Sequence, residues 1–196
     1  MKKERSILNV AVSIFFRIVL FLGSFLVRRY LIRFVGNDVN GVHSLYLSVI
    51  GVLSVAELGI GDAIIFCMYK PIVEGDTAKV SGLYSLFQRV YTIIGVVIAV
   101  AGCAVMPFLP YLAKGYASLD VNLYLTFGLM LISTVLTYFF SAKMSLLNAY
   151  RNNYIATTIT SIGQLLQQVL QIIVLFRTQS FVWFLCCRIV AVLVQW

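Results

Sequence analysis

The chain has 196 residues, 61% hydrophobic and 11% charged, with a net charge of +8 and a mean hydropathy of +0.97. Soluble domains are about 45–50% apolar and about 25% charged, so a single water-facing globule is excluded, as is a disordered chain. Lipid is the expected solvent for most of the surface. In that setting an excess of Lys and Arg orients the chain, and no nucleic-acid partner is expected.

A membrane-spanning helix takes about 20 apolar residues, and backbone groups in lipid need partners within the segment, so each long apolar run reads as a helix. The first, residues 7–35, follows Met1-Lys2-Lys3-Glu4-Arg5. Its length and the Arg17 inside it argue against a cleaved signal peptide. The second, 41–68, is apolar until Glu57 and Asp62. The third, 84–113, carries Pro107 and Pro110 near its end, where a bend or helix end is predicted. The fourth and fifth cover 121–142 and 153–177, and a sixth covers 180–196. The expectation is an all-α, polytopic membrane helix bundle of about six transmembrane helices in one domain, residues 1–196.

With the N-terminus cytoplasmic, Lys2, Lys3, Arg5, Lys70, Lys79, Arg89, Lys143 and Arg151 fall inside, as the positive-inside rule favours. Lys114 and Arg177 fall outside, together with Arg28, Arg29 and Arg33. Cys67, Cys103, Cys186 and Cys187 all sit in apolar runs, without metal-ligand spacing, and read as small hydrophobes. No metal and no cofactor is expected.

An arginine at the bilayer centre costs at least roughly 2.5–3.5 kcal/mol and usually faces a partner or a wet cavity. Ser13, Arg17, Ser24 and Arg28 fall on one face of the first helix, with the two arginines roughly 16 Å apart. That face suits a cavity that attracts anions. The competing reading is snorkelling of Arg28, Arg29 and Arg33 to the outer headgroups. The fifth helix carries Asn153, Thr157, Thr160, Gln164, Gln167 and Gln171 as a continuous polar stripe. Such a stripe is either interhelical glue or the lining of a water-filled path for a hydroxyl-rich ligand. In the second run Asn40, Ser44, Ser48 and Gly51 make a smaller polar face. Glu57 and Asp62 at its end have three readings: counter-charges to the arginines, a coupling-cation site, or interfacial residues. His43 is the only histidine and reads as structural.

The segment Ala56-Glu57-Leu58-Gly59-Ile60-Gly61-Asp62-Ala63-Ile64, followed by Tyr69-Lys70-Pro71-Ile72-Val73-Glu74-Gly75-Asp76, resembles the second span and first cytoplasmic loop of bacterial polysaccharide biosynthesis flippases. These belong to the multidrug/oligosaccharidyl-lipid/polysaccharide exporter superfamily. Arg28-Arg29-Tyr30-Leu31-Ile32-Arg33-Phe34-Val35-Gly36, with Asn40-Gly41-Val42-His43-Ser44-Leu45 beyond it, is similar to the end of the family's first span. Ser133-Thr134-Val135-Leu136-Thr137-Tyr138-Phe139-Phe140, then Lys143 and Leu146-Leu147-Asn148-Ala149, resembles its fourth span. The resemblance implies a fold of two pseudosymmetric lobes, of which six helices form the N-terminal one, and this chain is expected to be a truncated N-terminal lobe.

The implied function is membrane transport, not enzyme chemistry: flipping a lipid-linked oligosaccharide of the undecaprenyl diphosphate type across the cytoplasmic membrane for polysaccharide biosynthesis. Arg17, Arg28 and Arg29 are the candidates for the diphosphate, and Gln164, Gln167 and Gln171 for the glycan. Glu57 and Asp62 are the candidates for ion coupling. Membrane lipids and polysaccharide assembly proteins are the partners such a role implies. Three alternatives remain at this stage. A drug/cation antiporter of the same superfamily would want acidic residues in its cavity. A membrane-embedded glycosyltransferase or polymerase would need larger polar loops. A non-transporting partner or fragment would fit the chain length.

Overall fold

The computed structural model describes residues 2–55, 59–113, 121–149 and 153–194, without the side chains of residues 2–12, 62, 140, 142–149 and 153–156. All regular structure among the described residues is helical. The order is α1 (Lys2–Phe34), α2 (Asn37–Ser54), α3 (Ile60–Glu74), α4 (Thr77–Val105), a 3-10 turn (Met106–Phe108), α5 (Leu109–Leu112), α6 (Leu123–Ala149), α7 (Asn153–Thr178) and α8 (Phe181–Val194).

Where the sequence suggests one run, 41–68, the structure has two helices. Gly59 stands at the start of α3 with φ 86°, a left-handed conformation that interrupts the helix and that glycine adopts without steric cost. Two residues on, Gly61 has no Cβ, and the Tyr91 hydroxyl of α4 occupies that space. The far end of α3 closes on a left-handed Gly75 whose N–H donates to Ile72 O (3.3 Å), while Asp76 N–H donates to Pro71 O (3.0 Å). This is the doubly bonded glycine stop common at helix ends.

Asp76 then starts α4. Its Oδ1 accepts from Lys79 N–H at 3.0 Å and its Oδ2 lies 2.8 Å from Lys79 Nζ. The hydrogen bonds from Lys79 hold the Asp76 carboxyl below the usual carboxylate range. The prolines predicted to bend the third run act gently. Pro107 and Pro110 occupy first-turn positions of the 3-10 turn and of α5, where their missing N–H is no loss, so the chain tightens and stays helical. Asn122 caps α6, its Oδ1 accepting from Tyr124 and Leu125 N–H at 3.1 and 3.2 Å.

Small residues let the helices approach. Gly95 and Gly102 of α4 face Tyr138 and Leu131 of α6, and a Cβ on Gly102 would overlap the Leu131 side chain. Phe87 stacks on Tyr91 at 4.5 Å between ring centroids. Tyr46 of α2 is fully buried against Phe127, and its hydroxyl bonds Leu123 O (3.0 Å) and Thr126 Oγ1 (2.9 Å). Along the α1–α7 seam Gly23 leaves room for Gln168, whose Nε2 donates to Leu20 O at 3.0 Å.

Among the described residues two helical stretches, Thr77–Leu112 and Thr157–Thr178, are long and apolar enough to cross a membrane. The apolar parts of α6 (Leu123–Phe139) and α8 are shorter. The described part of α1 is long but carries Arg17, Arg28, Arg29 and Arg33, and the second run is divided at Gly59. Large apolar side chains point outward all the same: Phe21 is 72% exposed, Phe66 74%, Ile93 62% and Trp183 58%.

Candidate functional site

The C-terminal half of α1, the N-terminal half of α2, the middle of α7 and α8 surround a cavity of about 360 Å³. Helix α1 supplies Ser24, Val27, Arg28 and Leu31, and α2 supplies Asn40, His43, Ser44 and Leu47. From α7 come Gln167, Gln168 and Gln171, and from α8 Phe184 and Arg188. Its floor is set by packing. Leu31 and Phe184 are almost fully buried, and His43 presents its ring edge-on to Phe181 and Phe184 at centroid distances of 6.0 and 5.6 Å. The end of α1 is held on α7 by Tyr30, Phe34 and Phe176, with Phe176 5.0 and 4.9 Å from the other two rings. That seam fixes the turn from which Arg28 projects.

A second cavity, about 340 Å³, adjoins the first. It is lined by Thr137 of α6, Gln164, Gln167 and Gln168 of α7, and Arg188 and Val192 of α8. Gln167, Gln168 and Arg188 therefore border both spaces. The α7 stripe is graded along its length: Thr157 and Thr160 are half-buried, Gln164 is exposed, and Gln171 is buried at the far end.

Of the residues singled out in the sequence, Arg28, Gln167 and Gln171 meet in the first cavity, and Gln164 joins Gln167 in the second. Arg17 and Arg29 are exposed on α1 and line neither. Glu57 and the Asp62 side chain lie outside the described residues. Among the described residues no acidic side chain lines either cavity, and no ion pair involves Arg28 or Arg188. The two guanidinium groups have, among the described residues, no protein counter-charge, and they stand beside amides and hydroxyls that both donate and accept.

Arg188, His43 and Gln168 are cavity residues that sequence reasoning passed over or read as structural. Arg188 had a visible signal, since it is the one charge in the apolar segment Phe181–Val194. The reasoning that marks Arg17 applies equally there. Gln168 lies one residue off the polar stripe and is recruited only because α1 approaches α7 so closely at Gly23. No protein-family model, no curated protein and no solved structure matches this chain.

Proposed function

We propose that this chain is a multi-pass protein of the cytoplasmic membrane, N-terminus inside, that binds a lipid-linked oligosaccharide and carries it between leaflets for polysaccharide biosynthesis. The observation that carries this reading is the meeting of Arg28 with Gln167 and Gln171 in one cavity between α1, α2, α7 and α8. A lipid diphosphate resists entering hydrocarbon, and guanidinium groups replace its water with charge-assisted, often bidentate hydrogen bonds. Glutamine and threonine match sugar hydroxyls in being both donors and acceptors. The outward apolar side chains of α1, α3, α4 and α8 suit contact with lipid, where the isoprenoid tail would stay.

No bond is made or broken in this reading, and the bundle acts as one wall of the path, completed by a second lobe. Sequence resemblance to polysaccharide flippases supports it. A drug/cation antiporter is the less suited alternative, because a cationic substrate would meet two arginines in the cavity and, among the described residues, no carboxylate. The test is export of surface polymer in cells that depend on this protein. Arg28→Ala is expected to abolish export at normal membrane abundance, and undiminished export by that variant overturns the assignment.

A further inference from the structure

The two cavities share one wall but differ in the rest of their lining. Arg188, Gln167 and Gln168 stand between them. The first adds a second guanidinium, Arg28, from the opposite side, on α1. Among the described residues the second adds neutral groups, the Thr137 hydroxyl, the Gln164 amide and the Val192 side chain. Each volume, about 360 and about 340 Å³, is at the lower end of the roughly 300–1,000 Å³ typical of small-molecule sites. Each therefore suits one part of a ligand.

From this division we infer that the cavities are a single two-part site in which Arg28 and Arg188 bracket an anionic diphosphate while the neutral polyhydroxyl group attached to it lies against Thr137 and Gln164. The inference rests on the reading of the site as one for lipid-linked oligosaccharide, and it adds Arg188 and a direction. Two guanidinium forks on different helices match a group with two anionic centres. Beyond Arg188 the lining offers paired donors and acceptors without further charge, which suits hydroxyls and gives a second phosphate no partner. Arg188 is the residue at which the two chemistries join.

The experiment uses the full chain in nanodiscs, titrated with two probes: farnesyl diphosphate, and the same isoprenoid diphosphate bearing a disaccharide. Arg28→Ala and Arg188→Ala are each expected to weaken both probes by about 10- to 100-fold, the usual range for losing a charged hydrogen bond. Thr137→Val and Gln164→Ala are expected to weaken only the sugar-bearing probe, by roughly 3- to 10-fold. If Arg188→Ala does not fold, Arg188→Lys serves: it keeps the charge, loses the fork, and is expected to bind both probes several-fold more weakly. Farnesyl diphosphate binding that needs Arg28 but ignores both Arg188 variants overturns the inference and leaves the functional reading standing. Equal losses for both probes in Gln164→Ala overturn the assigned direction. Failure of the wild-type chain to bind either probe overturns the functional reading and the inference together.

Discussion

Gly23 is the tightest point of the α1–α7 seam, and replacing it with alanine tests how that wall of the cavity is built. A Cβ at this position would run into the Gln168 side-chain oxygen, which is already buried without a hydrogen-bond partner. Gln168 would have to swing away, giving up the bond from its Nε2 to Leu20 O at 3.0 Å. Losing that bond costs about 0.5–1.5 kcal/mol, and an off-rotamer side chain costs about 0.5–1.5 kcal/mol more. The preference of a helix for Ala over Gly offsets about 0.5–1 kcal/mol of this. The net is a destabilisation of roughly 1–2 kcal/mol, which for a chain of this size lowers Tm by about 2–8 °C.

Thermal unfolding of purified protein in nanodiscs measures it, and the double variant Gly23→Ala/Gln168→Ala isolates the cause. With the amide gone, the added methyl is expected to be neutral or stabilising by up to about 1 kcal/mol. The coupling between the two positions is then about 2 kcal/mol. Additive effects, with coupling near zero, would refute the account of this seam.

Two further predictions concern the frame around the site. Tyr46→Phe removes the hydroxyl that joins α2 to α6 but leaves Thr126 Oγ1 its bond to Asn122 O at 3.0 Å, so the cost is expected near 1 kcal/mol. A Tm drop of about 2–4 °C checks it, and an unchanged Tm would contradict the bond. Asp76 has its folded-state pKa depressed by Lys79, so its stabilisation of the start of α4 is present above the unfolded value, about 3.9, and lost as pH falls through the folded one. Amide exchange at Lys79 and Val80, compared with unstructured controls, is expected to lose protection below about pH 4 in the wild type, without that step in Asp76→Asn; identical profiles would dismiss the cap's electrostatic role.

Helix ends carry local signals, but the apolar runs alone misplace several of them: α3 continues to Glu74 past residue 68, α4 begins at Thr77 ahead of residue 84, and α6 continues to Ala149 past residue 142. Charges, capping residues and glycines sit at almost every boundary, because a helix end exposes backbone groups that only such residues or water satisfy. The division of the second run was less visible. Gly59 and Gly61 stand in an apolar stretch with two different roles: Gly59 takes the left-handed conformation before α3, and Gly61, within α3, makes room for the Tyr91 hydroxyl of another helix. The site shows the same limit. The polar face of α7 and the arginines of α1 could be read from spacing, yet spacing on separate helices does not say which faces meet. Arg28 and Gln171 converge because Phe176 seats between Tyr30 and Phe34, a contact some 140 residues apart in sequence. Arg17 and Arg28 share a face of α1, but only Arg28 lies at the level of the cavity that α8 also lines.

The break before Gly59 also serves as a ruler. A helix interruption frees backbone groups that hydrocarbon does not satisfy, so in a bilayer it belongs at the boundary. Helix α2, from Asn37 to Ser54, is 18 residues long and measures about 27 Å. On α4 the same level is marked by Tyr91, which meets Gly61, and from there to Leu112 the chain rises about 32 Å. Both lengths match the roughly 30 Å thickness of a hydrocarbon core. What remains, α3 with the first half of α4, is a hairpin about 20 Å long. Its Gly75 tip gathers charge at one end of the hairpin, with Lys70 paired to Glu74 on one side and Lys79 to Asp76 on the other.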